Sequence, residues 1–576
     1  MEKEKAVPKK EATPKKRRML SSFTIMMLLT IVMAALTWFV PAGRYDTKTI
    51  STAAGEKEVV EKNLKDENGE DILDEEGNVQ TSYRTSTERI AEAEAELERV
   101  KLEQGITDEE SEEALENEEY QAALEAVAEA EAIRNPQGLW EVLLAPVKGT
   151  KEVVDIIVCV FFVGGLLALE AKVGAIQAGF KVLMRKMKGK EKWLIPTLIA
   201  LFAVCGSAYG SQEETVVYYT FMVPLMMAAG YNAMTALMTV IIGTTVGIAA
   251  STVNPFSAII ASDLGGTEVG QGMVLRAVML LTGIIIGSIF VVRYAEGVRA
   301  GKHAEDSVND HKLKFAQEKQ TSDVFDAKRK ATLIIMMMAL IVITIFAFIP
   351  WDTLNINLFV NMQEWFYNLP IIGRLFGNIT PFGWWYFDEL SVLYLVAALA
   401  IGFMYKIGDQ EFVDIFIDGA KDVMGVCLII GVARGITVVM NDGNITHTIL
   451  HALETALSSI PTGVVKGLFG GVLYLIYLPM AFLIPSTSGL ASISMPIFGP
   501  LADILSVGAP IAVASFVAGS GIIQMLAPTV GSLMGGLVSC GVSYNKYLKR
   551  VKWLAITLSV AYIVLITIAS VTGFGI

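Results

Sequence analysis

The sequence has few of the residues that build metal sites and covalent cross-links. Its 576 residues include four cysteines and four histidines. The cysteines stand at unrelated spacings inside or beside apolar runs, so we predict neither a disulfide framework nor a paired-cysteine metal site. His447 and His451 are four residues apart, but no HExxH motif accompanies them. We therefore predict no metal ligands and no cofactor.

Motifs for the common enzyme mechanisms are also missing. The chain has no P-loop and no HExxH or GxSxG motif, so neither ATP hydrolysis nor a familiar hydrolytic site is predicted. A basic surface is lacking too, because the net charge is -13, which is the wrong sign for a nucleic-acid partner. A membrane-embedded enzyme and a receptor or scaffold stay open as alternatives to a transporter.

Apolar residues and one acidic segment dominate what is present. Hydrophobic residues make up 53% of the chain, and the mean hydropathy is +0.51. Residues 46–135 contain 28 acidic and 9 basic residues, a net of -19, so the remainder carries -13 + 19 = +6. We interpret 41–135 as an acidic extracytoplasmic insert. Alanine and glutamate favour a helical hairpin in it, and we expect a solvated appendage without a role in the chemistry.

Apolar runs of membrane-spanning length alternate with basic loops. The first run, 19–40, follows a basic cytoplasmic tail at 1–18 and is predicted to be an uncleaved membrane helix. Basic residues in the loop 294–330 mark the same cytoplasmic face by the positive-inside rule. The sequence therefore predicts a multi-pass protein of the bacterial inner membrane, with its N-terminus in the cytoplasm. Its partners are the lipid bilayer and a small-molecule substrate.

The chain contains an internal repeat. Gly149–Val153 (GTKEV) resembles Gly419–Val423 (GAKDV) at an offset of 270, and Ser251–Asn254 (STVN) aligns with Pro528–Gly531 (PTVG) at 277. A linker helix and external loop, 331–385, separate the two copies. The first half, 136–293, and the second, 386–576, then have opposite orientations. Inverted repeats are typical of secondary transporters, whose binding site lies near the membrane midplane between the repeats.

Each half also contains one apolar stretch that is interrupted by a polar turn. The stretch 193–229 turns at 206–214, and the stretch 463–505 turns at 485–489. The arms of the first are only about two-thirds of a spanning helix in length, so we predict two re-entrant hairpins with tips at the midplane. The fold class predicted is an all-α polytopic membrane protein with an inverted repeat, that is, an elevator-type transporter fold, plus the acidic helical insert.

A second kind of break follows each hairpin. Polar residues interrupt the apolar stretches 233–262 and 509–538, and Pro255 removes a helical hydrogen bond. Non-helical backbone at membrane depth is tolerated only where protein or a water-filled cavity satisfies it. We therefore predict paired discontinuous helices whose free N–H groups and hydroxyl oxygens bind substrate or Na⁺. The predicted binding residues are Ser211, Ser251, Thr252, Asn254, Ser486, Thr487, Ser488, Thr529 and Ser532.

Four ionisable residues are predicted at membrane depth, where each costs about 2.5–3.5 kcal/mol to insert. Glu213 and Glu214 at the first tip would attract an ammonium or guanidinium group, whereas Arg434 could hold a substrate carboxylate. Two alternatives stay open. Ser211 and Glu214 also fit a capping box, and Arg434 could instead form an ion pair with Glu170, which occupies a similar depth in the other half.

At these residues the chain resembles the YfcC family, within the C4-dicarboxylate anaerobic carrier group of the ion-transporter superfamily. The motifs are GSAYGSQEE at 206–214, AASTVNPF at 249–256, VARGITVVMNDGNITHTIL at 432–450 and PSTSGLAS at 485–492. The resemblance covers about 136–576 and the first helix. It implies two re-entrant hairpins, paired discontinuous helices and elevator-like alternating access. In related members Ser-Asn-Thr tips hold substrate and Na⁺, whereas here the tips are Gly210-Ser211-Gln212 and Ser486-Thr487-Ser488.

The function predicted is secondary active transport of small carboxylate-bearing metabolites. An acidic tip together with one arginine favours an amino acid with a cationic side chain, as in arginine/ornithine exchange. The alternative is a C4-dicarboxylate or other organic-anion carrier coupled to Na⁺ or H⁺. By analogy with elevator-type relatives, a homodimer is expected.

Overall fold

Helices form nearly all of the described chain outside the insert. The computed structural model describes residues 22–52, 55–61, 82–104, 106, 117–213, 215–303, 306, 325–349, 351, 356–370, 373, 379–458, 462–505 and 507–575. The basic tail, Glu214 and most of the loop 294–330 lie outside these residues.

The helices are defined as follows, in chain order. They are α1 (Ser22–Phe39), α2 (Ser86–Gln104), α3 (Glu118–Ile133), α4 (Leu139–Glu152), α5 (Val154–Val173), α6 (Ala175–Lys186), α7 (Leu194–Tyr209), α8 (Thr215–Ala228), α9 (Ala233–Ala249), α10 (Ile260–Leu264), α11 (Met273–Arg299), α12 (Ala327–Met337), α13 (Thr344–Phe348), α14 (Leu358–Tyr367), α15 (Phe387–Tyr405), α16 (Asp409–Asp442), α17 (Ile445–Ser458), α18 (Thr462–Leu483), α19 (Thr487–Ile504), α20 (Ala509–Gln524), α21 (Gly531–Ser539) and α22 (Tyr544–Thr572). A π-helical turn, Pro255–Ile259, leads into α10.

Six helices of the described residues are long and apolar enough to cross a membrane. They include α5, α11, α15 and α22, and each has a mean hydropathy of 1.4 or more over its most apolar window. Their outward faces carry exposed large apolar side chains, such as Leu281 and Val560, as expected for helices that contact lipid. The protein is therefore a multi-pass membrane protein.

The longest helix, α16, differs from the sequence-based expectation. In the sequence an amphipathic segment beginning at Glu411 precedes an apolar run at 422–440, which favours two separate elements, but the structure has one helix of 34 residues. Helices α4 and α5 follow one another and pack antiparallel along it, since small residues line the contact. A Cβ on Gly149 would lie 2.4 Å from the Gly435 nitrogen, and one on Gly419 would lie 2.3 Å from the Gly164 carbonyl oxygen. Only glycine allows backbones to approach this closely.

Two helices occupy the centre of the protein. All residues of α9 are buried, and so are nearly all of α20. A helix that is apolar on every side is stable only where other helices surround it. The two helices meet near their C-terminal ends, where a Cβ on Gly521 would lie 2.3 Å from the Ala249 nitrogen. The breaks that follow them are thereby brought close together.

Replacing Gly521 with Ala is expected to lower the melting temperature, because the added methyl group has no space against the α9 backbone. Overpacking of this kind costs about 1–3 kcal/mol. The measurement is thermal unfolding of the purified protein in detergent. Gly425→Ala is the matched control, since a Cβ at Gly425 meets nothing within 4 Å. Equal melting temperatures for the two variants would contradict the prediction.

The insert contains strands, which corrects the expectation of an all-α chain. Strand β1 (Gly43–Arg44) pairs with β4 (Arg84–Thr85), and β2 (Asp46–Thr52) pairs with β3 (Gly55–Glu61), both antiparallel. Helices α2 and α3 pack against each other around buried Val100 and Tyr120. The Thr, Ile and Val residues in 46–61 favour strands. We did not predict these strands because acidic residues dominate the composition of the insert.

The insert is also docked on the membrane helices. This corrects our expectation of a solvated appendage. The ring of Tyr83 stacks on His451 of α17 at 4.0 Å between centroids, and the Tyr83 hydroxyl donates to Thr448 at 3.0 Å. The backbone N–H of Tyr45 donates to Nδ1 of His447 at 3.4 Å. Strand β3 also lies against α19. The buried aromatic residues Tyr45 and Tyr83 provide this docking, whereas the acidic residues of α2 and α3 are exposed.

Candidate functional site

The first hairpin consists of α7 and α8, and its tip packs on the break that follows α9. Gly210 at the tip has φ +75°, and a Cβ there would lie 2.8 Å from the Asn254 amide. The Thr252 nitrogen donates to Ser207 Oγ at 3.1 Å, and Ser207 Oγ donates to the Ala250 carbonyl at 2.9 Å. The tip and the break therefore form one hydrogen-bonded unit.

Side chains within the break hold its shape. Asn254 accepts a hydrogen bond from the Phe256 nitrogen at 2.9 Å and thereby caps the turn that leads into α10. Its Nδ2 donates to Ser251 Oγ at 3.1 Å, and Ser257 Oγ lies 3.0 Å from the same hydroxyl. These groups are buried, so their mutual bonds replace the lost helical ones.

The second half is built in a similar way. Helices α18 and α19 form the hairpin, and Ser486 at its tip caps α19 by accepting from the Gly489 nitrogen at 3.3 Å. Gln524 at the end of α20 donates to Thr487 Oγ1 at 2.9 Å. Thr529 in the following break donates to the Phe482 carbonyl at 3.4 Å. Hydrogen bonds therefore connect the second hairpin tip to the break that follows α20.

Both hairpin tips and both breaks line one cavity of about 240 Å³, which we call the central cavity. Scaffold helices α4, α5, α15 and α16 supply the rest of its wall. Seven predicted binding residues line it: Glu213, Asn254, Arg434, Ser486, Thr487, Ser488 and Thr529. Four others, Ser211, Ser251, Thr252 and Ser532, lie outside the lining. Glu214 lies outside the described residues.

The residues behind the lining still support it. Ser251 and Thr252 hold the first break through the bonds given above, and Ser532 is buried in the first turn of α21. Ser211 is buried at the first tip, and its hydroxyl has no hydrogen-bond partner among the described residues.

Four charged side chains line the central cavity: Glu152, Asp155, Glu213 and Arg434. Arg434 Nε donates to a Glu152 oxygen at 2.7 Å, which leaves the two Nη groups without a partner among the described residues. Asp155 likewise has no hydrogen-bond or ion-pair partner within the described part of the chain. The cavity thus presents both signs of charge, with carboxylates in excess.

The predicted ion pair between Glu170 and Arg434 is wrong. Glu170 accepts a hydrogen bond from the Ile176 nitrogen and so caps the N-terminus of α6, where a carboxylate is favoured. It lines a separate cavity beside Asp422. Arg434 pairs with Glu152 because α4 ends beside the middle of α16.

Sequence reasoning missed Glu152 and Asp155. Both stand at the start of the apolar run 152–171, and charges at the start of such a run are usually at the membrane surface. In the structure α4 continues into α5 with a break at Val153, which places these carboxylates halfway along the helix pair. A signal was present, because Glu152 belongs to the repeated GTKEV motif and aligns with Asp422.

A larger cavity of about 480 Å³, which we call the vestibule, adjoins the central cavity on the side of the insert. Arg434, Ser486 and Ser488 line both spaces. Arg44 and Thr47 of the insert line the vestibule, together with His447 of α17. The insert therefore forms part of the wall of a cavity that adjoins the central cavity.

We expect the docking of the insert to make stability depend on pH. Burial lowers the pKa of His447 to about 4, and the charges of Arg44 and Arg89 contribute to the lowering. In the unfolded chain its pKa is about 6.5, so the unfolded state binds more protons between these values. His447 therefore contributes fully to the free energy of unfolding above about pH 6.5, and this contribution is lost as the pH falls toward 4.

This pH dependence is measured as melting temperature against pH. His447→Asn is expected to flatten the decline between about pH 6.5 and about 4. His303→Asn is the control, since His303 stacks on Tyr294 away from the insert. Parallel curves for wild type and His447→Asn would rule out the assignment.

The sequence profile of the C4-dicarboxylate anaerobic carriers, DcuC, matches residues 19–571. The chain belongs to this family. The resemblance inferred from the four motifs is thereby confirmed over nearly the whole chain, and membership of a carrier family identifies the protein as a membrane transporter.

Two curated relatives match this DcuC-family protein. One is an uncharacterized protein of Haemophilus influenzae, 26% identical over 536 residues, which are 92% of this chain and 93% of the relative. The other is YfcC of Escherichia coli K12, which is provisionally named as a basic amino acid antiporter. It is 27% identical over 408 residues, which are 69% of this chain and 73% of YfcC.

Two solved structures show low similarity to this DcuC-family protein. MtrF of Neisseria gonorrhoeae, described as illuminating a class of antimetabolite efflux pumps, has a TM-score of 0.39 at 13% identity, covering 96% of this chain and 95% of MtrF. The Alcanivorax borkumensis YdaH transporter has a TM-score of 0.42 at 12% identity, covering 96% and 99%. At these scores the likeness carries no conclusion.

Proposed function

We propose that this carrier is a secondary active transporter of amino acids with cationic side chains. The observation that carries the proposal is the charge arrangement of the central cavity, where three carboxylates and one guanidinium face the same space. An amino acid of this kind carries one carboxylate and two cationic groups. Its carboxylate matches Arg434, and its cationic groups match Asp155 and Glu213.

The geometry of Arg434 fits this role. Its Nε is bonded to Glu152, which fixes the plane of the guanidinium, and the Nη groups can then donate to a substrate carboxylate. Asp155 is a carboxylate without a partner among the described residues, so a bound ammonium or guanidinium would compensate its charge. YfcC, the relative named as a basic amino acid antiporter, supports this choice of substrate.

We further propose that transport occurs by alternating access of two inverted repeats. The contact of Gly149 with Gly435 is matched by that of Gly419 with Gly164, and the paired positions are 270 and 271 residues apart. Reciprocal contacts of this kind are typical of a two-fold axis. The two fully buried half-helices, each followed by a break at the cavity, support the same symmetry.

A C4-dicarboxylate is the competing substrate, because the family description names such carriers. A dianion would gain from Arg434 but would meet Asp155 and Glu213 in the same cavity. Like charges that face the same cavity repel one another. The charge arrangement therefore favours the amino acid.

The proposal is tested by uptake into proteoliposomes. The panel contains arginine, ornithine, neutral amino acids, succinate and short fatty acids, each with and without a Na⁺ or proton gradient. We expect saturable uptake or exchange of arginine and ornithine and none of succinate. Succinate uptake that excess arginine fails to inhibit would contradict the proposal and favour the dicarboxylate.

The proposal also includes three predictions made from the sequence. They are coupling to Na⁺ or H⁺, assembly as a homodimer, and location in the inner membrane with a cytoplasmic N-terminus.

A further inference from the structure

One arginine is fully buried inside the membrane region away from the central cavity. Arg276, the fourth residue of α11, has no exposed surface. No carboxylate of the described residues lies within salt-bridge distance of it. Burying an unpaired charge is expensive, so a residue of this kind requires a specific compensation.

Backbone carbonyls compensate the two Nη groups, whereas Nε is buried without a hydrogen-bond partner among the described residues. Arg276 Nη2 donates to the Val269 carbonyl at 2.7 Å and to the Thr252 carbonyl at 3.4 Å, and Nη1 donates to the Gln271 carbonyl at 3.3 Å. Thr252 lies in the break after α9, beside Asn254 of the central cavity. The guanidinium therefore links the break to the loop that precedes α11.

The second half has an equivalent contact. Tyr547 is the fourth residue of α22, 271 residues after Arg276. Its hydroxyl donates to the Met525 carbonyl at 3.0 Å, and the Tyr544 hydroxyl donates to the Leu526 carbonyl at 2.7 Å. Both carbonyls lie just after α20. In each half, the first turn of the long helix thus donates to at least one carbonyl that follows the end of the preceding half-helix, Thr252 in the first half and Met525 and Leu526 in the second.

The two contacts differ in charge. The tyrosines are neutral donors, whereas the guanidinium places a permanent positive charge against the break. The C-terminal end of a half-helix carries partial negative charge, and unwound carbonyls at membrane depth are places where cations bind. Arg276 occupies such a position with a cation that is covalently attached.

We propose that Arg276 is a positioning residue for transport, and that its guanidinium is the resident cation of the first break. It holds the Thr252 carbonyl and thereby fixes Asn254 at the cavity wall. This inference is tested in two ways. The measurement of uptake kinetics rests on the proposed transport function, whereas the measurement of guanidinium binding does not. Tyr547 has the equivalent and uncharged role in the second half.

The binding readout uses the free guanidinium ion. In Arg276→Ala, millimolar guanidinium is expected to raise the melting temperature, because the ion refills the site between the carbonyls. Urea has a similar shape and no charge, so it should have no such effect. Neither compound should stabilise the wild type or Arg293→Ala, the control with an exposed arginine on the same helix. If guanidinium stabilises Arg276→Ala no more than urea does, the proposal is overturned.

The kinetic readout follows substrate uptake. Arg276→Ala is expected to raise KM about tenfold or more, since misplaced binding groups lose affinity, and guanidinium should restore part of it. Tyr547→Phe should change KM in the same direction by a smaller factor. If Arg276→Ala does not fold, Arg276→Lys is measured instead. Lysine keeps the positive charge but cannot reproduce the hydrogen-bond geometry of the guanidinium. A wild-type KM and turnover in Arg276→Ala would refute the inference, whereas a wild type without any uptake would refute only the proposed function.

Discussion

Replacing Arg434 with Gln is expected to reduce kcat/KM for arginine by about 10- to 100-fold, the range for losing a hydrogen bond to a charged group. The guanidinium is the one cation among the described lining residues of the central cavity, so no neighbour replaces its bond to the substrate carboxylate. Arg434→Lys should also be impaired, because an ammonium cannot bind Glu152 and a carboxylate in the same fixed plane. Uptake of labelled arginine into proteoliposomes measures both effects.

The ion pair with Glu152 provides a decisive control. If Arg434 served only to neutralise Glu152, then the double variant Glu152→Gln with Arg434→Gln would restore transport. We expect the double variant to remain as impaired as Arg434→Gln, because the substrate carboxylate still lacks its partner. Restored uptake in the double variant would exclude a role of Arg434 in substrate binding.

Removing negative charge from the central cavity is expected to change selectivity. Glu213→Gln and Asp155→Asn should each reduce kcat/KM for arginine about tenfold or more, because each removes a partner for a cationic group. A neutral amino acid should be affected less. The measured quantity is the ratio of arginine to neutral amino-acid uptake under competition.

Glu268→Gln is the matched control for these two variants, since Glu268 is exposed in the loop before α11 and lies outside the cavity lining. It should leave the uptake ratio unchanged. If Glu213→Gln and Asp155→Asn both transport arginine like the wild type, then the acidic residues do not select the substrate and the amino-acid proposal fails.

Much of the fold follows from local signals in the sequence. Pro255 cannot donate a helical hydrogen bond, so a break within the stretch 233–262 could be predicted around this residue. The tip at Ser486 follows from capping chemistry. These features depend on a few neighbouring residues, and sequence patterns report such local preferences directly.

Features that depend on distant partners could not be predicted in this way. The partner of Arg434 was misassigned because depth along a single helix does not determine which helix lies beside it. Asp155 was overlooked because its span was taken to begin at 152, whereas α4 extends it. Arg276 was not singled out from the sequence, because its contact with the break depends on the Thr252 carbonyl, 24 residues away in the chain.

The docked insert has a consequence for the equilibrium between transport states. It is anchored to α17 through Tyr45 and Tyr83, and its strand β3 lies against α19, an arm of the second hairpin. Any motion of that arm relative to α17 must either break these contacts or carry the insert along. Carrying the insert along with α19 would break its contacts with α17, so in the alternating access proposed above the free energy of docking favours the conformation that keeps both sets of contacts. A ligand or antibody that held the insert in place would thus act as an inhibitor from outside the substrate site.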